Sequence, residues 1–493
     1  MGTAPEADAP RIGRRAFLGC AASAGIIGMA PAAVKADPAV VGGPAQGFAD
    51  APSYRAAAIE SARWIRSAES KDTAGLWLPE PDHPEVKATV SLPNGFYTGS
   101  AGLVLFFVEL AQATGDKSYW DDARRGGDYL VRSWRETAAA PQQVPGAQFG
   151  FYTGLAGTIF ALAVLWKMTG ETAYRQAALE ALDVLLKAAR PAGAGIAWVD
   201  WPGMTGNGGI VVALLAIADL LGDDDIRPLR LAAVHAGDRI AEQAVPDPRG
   251  GSRWQGMPPA MLGEREGTYW PNFQLGTSGT AYALARLGAA TGERRFVTAA
   301  EAGALHLRNI ATVQGDAALI HYREPDATDL YYLGYCNGPA GTARLFYQLW
   351  LATRDRHYLD WTEMLARGVL ASGIPDRQTP GFWNVACQCC GSAGVVDFFL
   401  GLWAATGKAE YRTFARRVAD QMLGRRADFD GKGCRWYQAY TRIKPWEVSA
   451  ESGYMVGAAG IAAALLHLDM AEQGTYRQAI LPPDNPFPTI NRN

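Results

Sequence analysis

The chain has 493 residues, 48% of them hydrophobic and 19% charged, which is the composition of a globular protein and excludes a disordered or fibrous one. A formal net charge of -3 and a pI near 6.1 offer no basic surface for nucleic acid or an anionic membrane. Length alone suggests two or three domains, unless an internal repeat closes the chain into one.

The first element is a targeting segment. Arg11, Arg14 and Arg15 precede an apolar run over 16–31, and Val34 and Ala36 stand where a signal peptidase reads. R-R-A-F-L-G resembles the twin-arginine export signal, which carries folded proteins across the membrane. We expect cleavage after Ala36, residues 1–36 being the signal peptide, and release into the periplasm. The run is too short for a stable span, and no other segment is long and apolar enough to make one. Cys20 opens the apolar run, which is the wrong place for a lipoprotein cysteine. Residues 37–50 read as a linker.

From 51 to 480 the chain repeats. Seven G-x-x-G steps begin at Gly99, Gly154, Gly206, Gly276, Gly338, Gly391 and Gly457. Each opens an apolar stretch such as LVLFFVEL, TIFALAVL or IVVALLAI. Most stretches end on a glycine at a fixed distance: Gly115, Gly170, Gly222, Gly292 and Gly407. Copy five has Arg354 there, and copy seven slips by one to Gly474. Glycine at that place reads as a left-handed helix cap. A helix that is apolar all round has neighbours on every side. Between these stretches lie segments with apolar residues at three-and-four spacing, such as YWDDARRGGDYLVRSW and YRTFARRVADQMLGRR, which read as surface helices with one buried stripe. The fold class expected is therefore all-α, an α/α toroid of seven inner and seven outer helices. A linear solenoid would need polar capping repeats, and none is evident. An outer helix always returns the chain, so all seven step loops lie at one end. The stretch from 245 to 272, with Arg249, Trp254, Met257 and Met261, breaks the spacing and reads as a lid or rim. The Pro-rich residues 481–493 read as a C-terminal tail.

Copies five and six carry thiols. Cys336 and Cys389 each stand two residues before the step glycine, Cys390 follows Cys389, and Cys387 is close by. If the copies close a ring, equivalent positions converge and Cys336, Cys389 and Cys390 meet. Three protein ligands with an open fourth position describe a catalytic zinc site. A Cys387–Cys390 redox pair, a vicinal disulfide and inert buried thiols remain the alternatives. Exported proteins favour disulfides, but five cysteines remain after cleavage, an odd number, and four of them crowd two repeats.

Acidic and aromatic residues fill the loops before the steps. Asp200 lies between Trp198 and Trp201, Glu264 and Glu266 precede Tyr269 and Trp270, and Glu451 precedes Tyr454. His321 and Arg323 lie upstream of Cys336. Asp200, His321, Arg323 and Glu451 are the candidate catalytic groups. His83, His235, His306, His357 and His467 fall on helices or far loops and read as surface or satisfied core histidines.

The sevenfold step, the Y-C-N-G at Cys336 and the C-C-G at Cys389 together resemble the lanthionine synthetase C family over roughly residues 50 to 480. The resemblance implies an α/α toroid whose zinc is held by one cysteine from a C-x-G and a Cys-His pair from a C-H-G. Cys336 and Cys389 match, and Cys390 stands at the histidine. It implies a zinc-bound substrate thiolate that adds to a dehydrated residue of a peptide, giving a thioether. Two departures bear on that chemistry. Leu275 stands where the peptide cyclases have a histidine before the fourth step, and Pro202 stands where they have an acid, with Asp200 two residues away. The expected partner is thus a peptide or small thiol, with no nucleic acid. Two other classes stay open: a carbohydrate-active toroid using paired carboxylates, and a non-catalytic binding toroid with structural zinc.

Overall fold

The computed structural model describes residues 53–82, 93–140, 145–222, 226–257, 267–439 and 441–489. The signal segment, the linker, Cys20, His83, Met261, Glu264 and Glu266 lie outside them. Among the described residues there are fourteen α-helices in strict alternation. The outer ones are α1 (Tyr54–Ser67), α3 (Ser118–Ala139), α5 (Thr172–Lys187), α7 (Ile226–Glu242), α9 (Arg294–Ile310), α11 (Arg356–Ala371) and α13 (Ala409–Gly424). The inner ones are α2 (Ser100–Thr114), α4 (Leu155–Thr169), α6 (Asn207–Leu221), α8 (Thr277–Thr291), α10 (Pro339–Thr353), α12 (Ser392–Thr406) and α14 (Ala458–Glu472). Four short antiparallel hairpins sit between outer and inner helices: β1–β2 (Arg190–Ala192, Gly195–Ala197), β3–β4 (Val245–Pro246, Ser252–Arg253), β5–β6 (Thr312–Gln314, Ala317–Leu319) and β7–β8 (Gln438–Ala439, Val448–Ser449).

All seven inner helices have 15 residues, about 22 Å of rise. Six end on a left-handed residue as the spacing predicts. Five of these are glycines, and Arg354 adopts φ 62° in the fifth copy. Copy seven caps on Gln473 and turns at Gly474. Each inner helix packs on the next, and α14 packs on both α2 and α1, so the ring is closed and not a solenoid.

Two features lock the closure. A Cβ on Gly102 would fall 2.4 Å from the carbonyl oxygen of Phe96 and 2.6 Å from Cβ of Tyr454 in the seventh copy. Gly460 is tighter, 1.7 Å from the carbonyl oxygen of Tyr454. The steps are therefore glycine because backbones touch there; their first glycines cap the helices at negative φ, as at Gly99 (φ -105°). The second feature is a run of five backbone hydrogen bonds between residues two before the step, joining six of the seven copies. Gln274 N–H donates to Cys336 O (2.8 Å), Cys336 to Cys389 (2.9 Å), Cys389 to Met455 (2.9 Å), Met455 to Tyr97 (2.9 Å) and Tyr97 to Tyr152 (2.8 Å).

The lumen is filled. Phe96 packs on Phe151 and Tyr454, and Phe273 packs on Tyr335. Deeper in, His467 of α14 lies 2.7 Å from Asp397 of α12 and 2.9 Å from Glu109 of α2, all three buried. This is a satisfied core histidine, as expected. Residues 481–489, taken from the sequence for a tail, instead enter this lumen. Asp484 is paired with Arg344 at 3.0 Å and bonded by Tyr152 and Tyr335, and Phe487 packs on Tyr347 and Phe398. A ring of helices with this bore leaves a central void, and close packing demands that something occupy it.

Burial opposes charge on His467, but Glu109 and Asp397 outweigh it and hold the pKa well above the ordinary 6.5. A raised folded-state pKa gives stability that is complete below the unfolded value and lost as pH rises through the folded one. Denaturant unfolding of wild type and His467→Gln across pH 6 to 10 should show the gap between them shrinking toward high pH. Parallel curves would remove the charged-histidine assignment.

Candidate metal centre

The three predicted ligands converge. The backbone bond from Cys336 to Cys389 sets their copies side by side at the mouth, and each stands just before the N-terminus of its inner helix, α10 or α12. Cys336 Sγ is 3.2 Å from Cys390 Sγ, and Cys390 Sγ is 3.6 Å from Cys389 Sγ. All three sulfurs lie within 4.8 Å of one another. A disulfide would hold its sulfurs at about 2.05 Å. Three thiolates on a tetrahedral ion with bonds of about 2.3 Å stand roughly 3.8 Å apart. The spacing fits the second, and all five described cysteines are free thiols. The donor set thus fits a thiophilic metal ion.

Neighbouring groups polarise the cluster. Burial works against charge on Cys336, yet hydrogen bonds from the other two thiols and from Asn337 Nδ2 (3.4 Å) bring its pKa down to about 5. The same bonds push Cys390 well up, and burial pushes Cys389 well up, so the cluster carries its first charge on Cys336. Helix N-termini beside thiols act in the same direction. Tyr97 also hydrogen-bonds Cys389, and Gln274 Oε1 accepts from Cys389 Sγ at 3.4 Å.

Cys387 hydrogen-bonds Cys390 and lies at the edge of the cluster. Cys434 does not: it bonds Ser61 and the carbonyl of Ala57 on α1.

The four candidate catalytic residues scatter. The Asp200 side chain is 75% exposed and paired with Arg190, so no cleft encloses it. The flanking Trp198 is no ligand platform either, since it is buried with its indole N–H on the Leu185 carbonyl at the end of α5. Trp254 and Trp436 cap α7 and α13 in the same way. Arg323 is engaged by Asp326, and His321 faces Glu324. Glu451 is buried beside Glu80 and Cys387, and desolvation followed by their charges raises its pKa well above the ordinary carboxyl value. It is the one candidate acid at the edge of the thiols.

The sequence missed Gln274, Asn337 and Tyr97, together with the stacked pair Tyr322 and Tyr332 (centroids 4.4 Å apart), whose phenols feel the charge of Cys336. Gln274 and Tyr97 occupy the same repeat position as Cys336 and Cys389. Extending the alignment from the thiols to all seven copies finds them.

Comparison with solved structures places the fold. Nisin cyclase superposes with a TM-score of 0.55 at 13% identity, covering 79% of this chain and 92% of its own. An α-1,6-mannanase of Salegentibacter (15% identity, 85% and 99% covered, TM-score 0.46) and the cellobiose 2-epimerase of Bacillus thermoamylovorans (10%, 64% and 85%, TM-score 0.41) are more distant. A search of curated protein sequences finds no match. The family model described as lanthionine synthetase C-like protein matches residues 90–481. With that match spanning the seven inner helices and the thiol centre, the chain belongs to the lanthionine synthetase C-like family.

Proposed function

We propose that this chain is an exported zinc protein that binds the thiol of a peptide or small molecule and activates it for thioether-forming or related sulfur chemistry. The observation that supports this reading is the converging trio Cys336, Cys389 and Cys390, free thiols of which the first two are buried and Cys390 is half-buried. Zinc bound there would lower a substrate thiol's pKa so that thiolate exists near neutral pH.

The chain's own residues supply the rest. Cys336, Cys389 and Cys390 hold the ion, and the third sulfur adds negative charge where relatives have a neutral imidazole. Asn337 and Tyr97 donate to the sulfurs and offset part of that charge. Tyr322 and Tyr332, kept neutral by burial, wall the cluster with two phenols. Glu451, protonated through burial, is the candidate donor of the proton that the α-carbon takes up once the sulfur has bonded to the adjacent β-carbon. Leu275 supplies no such group, so general acid help rests on Glu451, an effect typically of order 10²–10⁴-fold. Export with the metal already loaded in the cytoplasm fits the twin-arginine signal and keeps the thiols from oxidising.

The experiment is metal analysis of native protein followed by cobalt exchange. We expect one zinc at the thiols, and a cobalt–thiolate absorption that shifts when a cysteinyl peptide or glutathione is added. Bound metal whose spectrum ignores every thiol supports the structural-zinc reading instead.

A further inference from the structure

Four side chains from three stretches of chain meet under the rim. Asp247 stands in the β3–β4 hairpin, His306 on α9, and His321 and Glu324 in the loop after β6. Ligand atoms of Asp247, His306 and Glu324 lie within 4.8 Å of one another. His306 Nδ1 is 3.4 Å from Asp247 Oδ2, and His321 Nε2 is 3.5 Å from Glu324 Oε1. Both nitrogens are buried, and beyond these long carboxylate contacts neither has a well-formed hydrogen bond. The residues are 1% and 6% exposed, so no bulk water answers them. Burial, only partly opposed by Asp247 and Glu324, lowers the His306 pKa to about 4 and keeps that ring neutral. Unsatisfied buried polar atoms are rare in folded proteins, and an ion or water commonly accounts for them. An imidazole with two carboxylates suits a divalent first-row ion.

A cation already bridges the carboxylates. Arg249 bonds Asp247 through Nε and Nη2 (both 2.9 Å) and Glu324 through Nη2 (2.9 Å) and Nη1 (2.5 Å). Arg253 lies 3.4 Å from both acids. Arg249 and Arg253 pair with the carboxylates and leave the two imidazole nitrogens only their long contacts to Asp247 and Glu324. Arg249 is also the most exposed member, with 43% of its side chain accessible against 23% or less for the others. It can leave without unpacking the site.

We propose that Asp247, His306 and Glu324 form a second divalent-cation site, with His321 beside Glu324, at which the Arg249 guanidinium is an exchangeable placeholder that swings to solvent when the ion enters. The ion would tie the β3–β4 hairpin and α9 to the loop that runs on to Tyr332 and Cys336, fixing the rim beside the thiols. This site is independent of the zinc reading.

Manganese(II) is the probe, because a hard ion selects nitrogen and oxygen donors and ignores thiolates. Paramagnetic resonance titration of the mature chain should find about one bound ion. Binding persists in Cys336→Ala, weakens roughly a hundredfold in His306→Gln and in Asp247→Asn, and tightens roughly fivefold in Arg249→Gln, where the competing ion pair is gone. Circular dichroism confirms that each variant is folded, and His306→Gln alone suffices if Asp247→Asn is not. No binding by wild type, or binding that survives His306→Gln, overturns the proposal. Binding seen only in Arg249→Gln also overturns it, since arginine is then the native occupant.

Discussion

Cys336→Ala should strip the thiol centre of its metal while the toroid stays folded. A four-ligand structural zinc site is worth about 10–16 kcal/mol, so one ligand accounts for roughly 3–4 kcal/mol, a loss of two to three orders of magnitude in affinity. Cys336 is the ligand to remove because Asn337 and both other thiols stabilise its charge. Its removal leaves Cys389 and Cys390 as two sulfur donors, one short of the three protein ligands that a catalytic-type zinc site uses. Cys390→His gives the opposite expectation. It restores the donor set that the family resemblance implies, so metal should stay bound, with less negative charge on the ion. Chelator competition monitored by a zinc indicator measures both. Equal affinity in wild type and Cys336→Ala ends the metal assignment, whatever activity either retains.

How much of this was legible in the sequence follows from what repeats. The inner helices announce themselves through step glycines and left-handed caps, because backbone contact and positive φ each restrict the residue directly. The meeting of Cys336 with Cys389 and Cys390 follows from counting copies, since ring closure brings equivalent positions together. Residues outside the periodic pattern gave no such handle. Asp200 sits between two tryptophans in a way that suggests a binding cleft, yet those tryptophans are buried and Trp198 caps a helix, while the acid faces water. Gln274 carries neither charge nor sulfur and is recognised only by its register with the cysteines. His306 looked like any helical histidine; its importance lies in Asp247 and Glu324, which approach from segments 59 positions before it and 18 after it.

The C-terminal segment differs most from its sequence pattern, because Asp484 and Phe487 are buried. Proline and polar residues mark a tail only when nothing needs filling, and a seven-helix ring needs a plug. Arg344 is buried in the lumen wall over the rings of Tyr335 and Phe273, and Asp484 is the carboxylate paired with it there. Asp484→Ala should therefore leave a guanidinium without its counter-ion in a dry interior, costing about 3–5 kcal/mol, a large share of the 5–15 kcal/mol typical of a whole domain. The pair is not indispensable as a pair, however. Arg344→Met combined with Asp484→Leu removes both charges at similar volume and should recover most of the loss, because a buried ion pair contributes little beyond an apolar replacement. Chemical denaturation of the wild type, both single variants and the double variant completes the cycle. If Asp484→Ala unfolds at the same denaturant concentration as the wild type, the segment is an ornament on the ring, and its aromatic anchor Phe487 must be equally dispensable. If the double variant is no better than Asp484→Ala, the tyrosine hydroxyls of Tyr152 and Tyr335 are what the carboxylate serves, and the lumen is held by that hydrogen-bonded triad rather than by charge.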